Sequence, residues 1–134
     1  MNKIPCKQVL VYTIERALAT YDWLQKENET YQEMIKCGDD ASDSSMKLRV
    51  LCDSFAVYVT TLFGGDDGKK YSLKSCFPHD DFSSLEKVDI VIMCNRNRNN
   101  RSGHESEDYG HFILTEDILT SNIRSILVEI MIRF

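Results

Sequence analysis

The chain has 134 residues, of which 43% are hydrophobic, and a formal net charge of −5 at pH 7. This length fits one domain and this composition supplies one core, so we expect a single domain over residues 1–134. The negative charge argues against unspecific coating of nucleic acid, and no apolar run approaches the ~18 residues of a membrane span, so we expect no membrane partner.

The N-terminal segment and the cysteines indicate the compartment. Residues 1–6 lack the apolar stretch of a signal peptide, so a cytoplasmic protein is expected. The five cysteines are scattered, odd in number and never in a Cys-x-x-Cys pair. This pattern argues against a disulfide framework and a structural zinc site, and we expect reduced, mostly buried thiols, no metal and no cofactor. The cysteines are Cys6, Cys37, Cys52, Cys76 and Cys94.

The first half of the chain predicts two long helices. Pro5 suits the start of the first, which we expect to reach Cys37 because no Gly or Pro interrupts its apolar periodicity. A polar loop over 38–45 precedes a second helix over about residues 45–63, which the glycine-rich segment 64–68 ends. Trp23 and the tyrosines of the first helix are expected to make core or dimer contacts. The expected buried residues are Leu10, Ile14, Ala17, Leu18, Tyr21, Leu24, Tyr31, Ile35, Leu48, Leu51, Cys52, Phe55, Tyr58, Val59 and Leu62.

The second half predicts shorter elements. Residues 71–82 are typical of a helical turn and a loop, and the sequence 83–86 resembles a capping box that opens a third helix through the apolar run 88–94. Because that run is rich in β-branched residues, a strand is the alternative. We expect Gly103 to end or bend this helix and Thr115 to begin a fourth. The fourth helix is expected to bury Leu119, Ile123, Ile126, Leu127, Ile130 and Met131. The whole pattern predicts an all-α, single-domain bundle of about four to five helices.

Residues 95–104 combine three arginines, four asparagines and one histidine. Arginine is a permanent cation that fits phosphate geometry, and histidine transfers protons near neutral pH, so the run predicts phosphodiester chemistry on RNA. The alternative is a solvated helix end whose arginines cap carbonyl groups. On one regular helix, Arg98 and His104 would lie about 9 Å apart along the axis and about 120° apart around it. A working pair therefore needs a bend at Gly103 or a second copy of the chain.

The chemistry open to this run is metal-independent RNA cleavage. A base removes the proton of a ribose 2′-OH, which attacks the adjacent phosphate and leaves a cyclic phosphate. His104 suits the proton transfer and Arg98 the charge of the transition state. Asn99 would hold the phosphate or orient His104. Arg96 and Arg101 are expected to contact the RNA backbone, and Tyr109 either stacks on a base or packs against the bundle.

The sequence Arg98-Asn99, four residues and His104 resembles the signature of HEPN domains. In that family an arginine, a polar residue, a spacer of four to six residues and a histidine lie at the end of a late helix in an all-α bundle. The second register, Arg96-Asn97, leaves six residues before the histidine and matches less well. Some members carry a tyrosine two residues after the histidine for AMP transfer, and Ser106 stands there in this chain.

The resemblance implies a homodimer whose two signatures face one cleft, and a metal-independent endoribonuclease of the toxin, anti-phage or stress-effector type. It also implies an antitoxin or regulatory protein as a possible partner. The alternative is a non-catalytic HEPN-fold module that binds RNA or assembles a protein complex.

Three other segments carry weaker patterns. The segment 64–70 faintly resembles a phosphate-binding loop, but an interhelical loop explains it better. The sequence His79-Asp80-Asp81 offers metal ligands without a second cluster, so turn chemistry after Pro78 is favoured. A carboxylate and imidazole group near the arginine run is a metal-site alternative to the RNA site. Its members are His104, Glu105, Asp108 and His111.

Overall fold

A computed structural model describes residues 5–64, 71–102 and 113–133, with side chains in the last turns of the 89–102 helix described as far as Asn97. Within these ranges the regular secondary structure consists of helices without a strand, which confirms the predicted all-α class. The helices are α1 (Cys6–Cys37), α2 (Ser42–Phe63), α3 (Leu73–Cys76), α4 (Ser83–Glu86), α5 (Asp89–Ser102), α6 (Thr115–Leu119) and α7 (Ile123–Ile132). No helix in the described ranges is both long and apolar enough to cross a bilayer.

The two long helices form the centre of the bundle. α1 ends at Cys37 as predicted and begins at Cys6, one residue after Pro5. Gly38 follows its end with a φ of 76°, the left-handed conformation that glycine adopts without strain. α2 begins at Ser42, three residues before the predicted start at 45. The reason is local: the Asp40 carboxylate accepts hydrogen bonds from the backbone N–H and the hydroxyl of Ser42, which stabilises the first turn. These bonds lower the pKa of Asp40.

Most of the predicted core residues of α1 and α2 are buried, but three aromatic or apolar positions on α1 are not. Trp23 is 64% exposed and Tyr12 is 54% exposed, so neither is a core residue, and Ile35 is 53% exposed, against prediction. The Ser44 hydroxyl donates to Glu27 Oε2 at 2.9 Å, so α2 begins beside Glu27 and the last turns of α1 extend beyond it. Ile35 lies in these last turns of α1, beyond the start of α2. Leu18, Tyr31, Leu51 and Tyr58 are partly buried against the core.

The predicted third and fourth helices are each divided in two. The apolar run is helical from Asp89 onward and is not a strand, but Lys87 and Val88 separate α4 from α5. The predicted capping box at 83 is wrong: Phe82 is the N-cap residue of α4, and Asp81 Oδ1 accepts the backbone N–H of Ser83 at 2.9 Å instead.

The fourth predicted helix begins at Thr115 as expected, and Asp117 Oδ2 accepts the backbone N–H of Leu114 at 2.9 Å. It breaks at residues 120–122, between α6 and α7. Ile123, Ile126, Leu127 and Ile130 are buried as predicted, whereas Leu119 and Met131 are only partly buried. Ile118, which the prediction left out, is fully buried.

The expectation that all cysteines are reduced thiols is wrong for one pair. Cys6 and Cys76 form a disulfide with a Cα–Cα distance of 5.7 Å, which joins the start of α1 to the end of α3. The two residues are 70 positions apart, so only the packing of α3 on α1 brings them together. Cys52 and Cys94 are free and buried, and Cys37 is free and exposed.

Candidate functional site

Helix α5 carries residues 95–102 of the arginine and histidine run. Ile90, Val91 and Cys94 are buried on the face that packs against α2. Asn97 continues this face one turn further and is only 1% exposed. Arg96, its neighbour, is exposed to solvent. α5 is therefore fixed to the core up to Asn97, at the point where the predicted site begins.

Both ends of the Asn97 amide are engaged by other parts of the bundle. Nδ2 donates to Asp53 Oδ1 on α2 at 3.1 Å, and Oδ1 accepts the backbone N–H of Ile113 at 2.9 Å. A buried amide with both groups bonded holds its partners in defined positions, because leaving either group unpaired costs free energy. Asn97 therefore connects α2, α5 and the start of the segment that leads into α6.

Asp53 extends this polar contact toward the surface. Its Oδ1 also pairs with Arg49 Nη2 at 3.2 Å, one turn earlier on α2. The side chains of Arg49 and Asp53 are 26% and 32% exposed, so this ion pair lies at the boundary between the core and solvent. The hydrogen bonds thus link the partly exposed pair of Arg49 and Asp53 to the buried Asn97 and Ile113.

Two buried thiols lie near these groups. Cys52 Sγ is 3.4 Å from Thr115 Oγ1, which joins α2 to the start of α6. Burial raises the pKa of Cys52, and burial together with the neighbouring Cys52 raises the pKa of Cys94 to about 12. Since the thiolate is the nucleophilic form, both thiols are inert at neutral pH and act as core residues.

The predicted catalytic and RNA-binding side chains, Arg96 excepted, lie outside the described residues. Arg98, Asn99 and Arg101 belong to the backbone of α5, but their side chains are not among those described. His104 and Tyr109 fall within 103–112, as do the other members of the metal-site alternative and the expected bend at Gly103. The approach of Arg98 to His104 therefore remains a prediction.

Of the other sequence patterns, one lies within the described residues and another lies almost wholly outside them. All three residues of the possible metal site, His79, Asp80 and Asp81, are exposed. The hydroxyl and the backbone N–H of Ser83 both bond to the Asp81 carboxylate, and these hydrogen bonds lower the pKa of Asp81. This is the turn chemistry that the sequence predicted. Across residues 5–64, 71–102 and 113–133, no three His, Cys, Asp or Glu side chains gather as metal ligands. The possible phosphate loop falls almost wholly within residues 65–70, outside these ranges.

Sequence reasoning missed the structural role of Asn97, which entered only as part of the less favoured register. A signal for it exists. Asn97 lies seven residues after Ile90 and three after Cys94, the spacing of one helix face, and both of those residues are buried.

Comparisons of the chain with protein-family models, with curated proteins and with solved structures found no match.

Proposed function

We propose that the chain is a HEPN-like domain that cleaves RNA without a metal ion, as a toxin or as an anti-phage or stress effector. The observation that carries this proposal is the hydrogen bond from the Ile113 N–H to Asn97. Because of it, the segment 98–112, which contains Arg98, Asn99 and His104, begins and ends at one point of the bundle. This contact supports the proposal because it holds together the two described residues that flank the signature, Asn97 and Ile113.

Two further observations support the proposal. The signature begins in the last turns of α5, a late helix in an all-helical chain, which is the position it has in HEPN domains. Arg96 is exposed on the same helix and is free to contact an RNA phosphate.

In the proposed reaction, His104 accepts the proton of the ribose 2′-OH. The oxygen attacks the adjacent phosphorus, the bond from phosphorus to O5′ breaks, and the products carry a 2′,3′-cyclic phosphate and a 5′-OH that takes up a proton. Arg98 stabilises the additional negative charge on the phosphoryl oxygens, and Asn99 positions the phosphate or His104. Arg96, Arg101 and Tyr109 bind the RNA chain.

A homodimer completes this proposal, since two facing copies would bring two signatures into one cleft. A cell that contains such an enzyme has to restrain it, so an antitoxin or another regulatory protein is the expected partner. The site of action is the cytoplasm, where the RNA substrate is found.

The test is cleavage of a single-stranded RNA in excess EDTA. We expect the wild-type protein to remain active and to leave cyclic-phosphate ends. Arg98→Ala and His104→Ala should each reduce the rate by about 100-fold or more, the usual contribution of such groups. Arg133→Ala and His79→Ala are matched controls, because both residues are exposed and lie outside the proposed site, and they should retain the wild-type rate.

Three results would contradict the proposal. They are loss of activity with EDTA, activity that survives both site substitutions, and cleavage of a substrate whose riboses lack the 2′-OH. Binding of RNA without cleavage would support the non-catalytic HEPN-fold module instead.

A further inference from the structure

An open groove of about 560 Å³ lies between the outer sides of α1 and α2. Its described lining residues belong to α1 and α2 and include none of α5. The groove is lined by Trp23, Lys26, Glu27, Thr30, Met46, Lys47, Val50 and Leu51.

The walls of this groove are apolar and face solvent. Trp23 is 64% exposed, Met46 is 70% exposed and Val50 is 58% exposed, while Leu51 between them is partly buried. Tryptophan and methionine are enriched at protein interfaces, where the large indole ring and the flexible thioether fill irregular contacts. Three such side chains in one groove indicate a surface that another molecule covers.

The length of the groove fits a docked helix. From Trp23 to Thr30 it follows seven residues of α1, about 10.5 Å at the rise of an α-helix. That is also the span from residue i to i+7 on a partner helix, so apolar residues at i, i+3 or i+4, and i+7 would contact the whole groove.

The charges of the groove select the partner. Lys26 and Lys47 both line it, and the Lys47 side chain is 69% exposed. Glu27 is the carboxylate among the lining residues, and both of its oxygens are engaged, Oε2 by the Ser44 hydroxyl at 2.9 Å and Oε1 by Lys47 Nζ at 3.7 Å. Since Lys47 compensates Glu27, Lys26 supplies the net positive charge of the lining, and an incoming carboxylate meets no uncompensated like charge there.

We propose that this groove binds an amphipathic helix of another protein, with an apolar stripe flanked by Asp or Glu. A second copy of the chain fits less well, because the same groove on the partner would bring the lysines of the two copies together. RNA also fits less well, since Met46 and Val50 offer neither a stacking face nor a phosphate contact. The proposal does not depend on ribonuclease activity, and its failure would leave that proposal intact.

Trp23 is the only tryptophan of the chain and reports on the groove directly. The probe is a synthetic helical peptide with Leu at i, i+4 and i+7 and Glu on both sides of that stripe. Titration into the full chain should shift the Trp23 emission to shorter wavelength and saturate. Val50→Glu should weaken binding by at least about tenfold, as expected for a charge placed in an apolar interface core.

Val57→Glu is the matched control. Val57 is 43% exposed on the same side of α2, two turns further along, but it does not line the groove. This variant should bind the peptide within about twofold of the wild type. Lys26→Glu should weaken binding of the Glu-flanked peptide and strengthen binding of an otherwise identical Lys-flanked peptide. Circular dichroism checks that each variant retains its helices.

Four results would overturn the proposal: no saturable shift of the Trp23 emission, equal binding of the Lys-flanked peptide by the wild type, equal loss of binding in Val50→Glu and Val57→Glu, and displacement of the peptide by a single-stranded RNA that binds more tightly. A shift of Trp23 emission with protein concentration alone, matched by dimer formation in sedimentation, would assign the groove to a second copy of the chain.

Discussion

Replacement of Asn97 by alanine tests the contact on which the candidate site depends. The substitution removes the acceptor for the Ile113 N–H and the donor to Asp53. Ile113 is 1% exposed, so its N–H would lose its bond without gaining water, at a cost of about 1–3 kcal/mol. Asp53 is partly exposed and keeps its pairing with Arg49, so the second loss should add about 1 kcal/mol. We expect Asn97→Ala to lower the free energy of unfolding by about 3 kcal/mol in total.

Urea unfolding followed by circular dichroism measures this loss. Asn122→Ala is the matched control: Asn122 is exposed, makes no side-chain capping bond at α7, and should change stability by less than about 0.5 kcal/mol. A change below about 0.5 kcal/mol for Asn97→Ala, or an equal change for both variants, would refute the assignment of Asn97 as a structural link.

Asn97→Asp refines the same test because it keeps the shape of the side chain. It replaces the donor to Asp53 with a second carboxylate at the 3.1 Å contact. Like charges at this distance raise the pKa of a carboxyl in the folded state. A carboxyl whose pKa is raised in the folded state contributes its full stabilisation below its unfolded-state pKa, near 4. That stabilisation is lost as the pH rises through the folded-state pKa. The variant should therefore approach the wild type in acid and fall below it at neutral pH, and the opposite trend would contradict the geometry.

The cysteines give the remaining predictions. Because the pKa of Cys94 is raised from 9.0 to about 12, the folded protein keeps a proton that the unfolded chain releases. The free energy of unfolding should thus fall as pH rises above 9.0, and Cys94→Ala should lose this part of the pH dependence. Iodoacetamide at neutral pH should label Cys37 in the native protein but Cys52 and Cys94 only in urea, as peptide mapping will show; native labelling of either buried thiol would contradict their burial. Breaking the Cys6–Cys76 disulfide, which spans 70 residues, should cost about 4 kcal/mol, and equal unfolding curves with and without reductant would refute the pairing.

The predictable part of the fold is the part that depends on local sequence. The interior and the end of α1 are as predicted, because an uninterrupted apolar periodicity sets the interior and Gly38 sets the end; its start at Cys6 is one residue after Pro5. Ile35 fits the same periodicity but is exposed, because burial also requires a neighbouring helix beside that turn of α1. Periodicity predicts which face is apolar, whereas tertiary packing decides how much of that face is covered.

The two breaks in the later helices have different origins. The break at 87–88 has no local cause, whereas the break at 120–122 follows a signal in the sequence. Residues 87–88 contain neither Gly nor Pro, so nothing local required the end of α4. At 120–122 the sequence is Thr-Ser-Asn, three residues whose side chains compete with the helical backbone. At the break, Ser121 Oγ donates to the Ile118 carbonyl and accepts the backbone N–H of Ile123, so its hydroxyl bonds to backbone groups on both sides.

The candidate site also has one part that local sequence predicts and another that tertiary contacts decide, and Asn97 belongs to the second part. Composition alone identified the arginine and histidine run, but the partners of Asn97 lie 44 residues before it and 16 residues after it, beyond any local pattern. Since both ends of this buried amide are bonded, Asn97 is not available to hold a phosphate, which removes the polar member of the Arg96-Asn97 register. Arg98-Asn99 is then the register on which the proposed chemistry rests. Asn97 instead fixes the helix that carries Arg98 and the point at which the chain returns after His104.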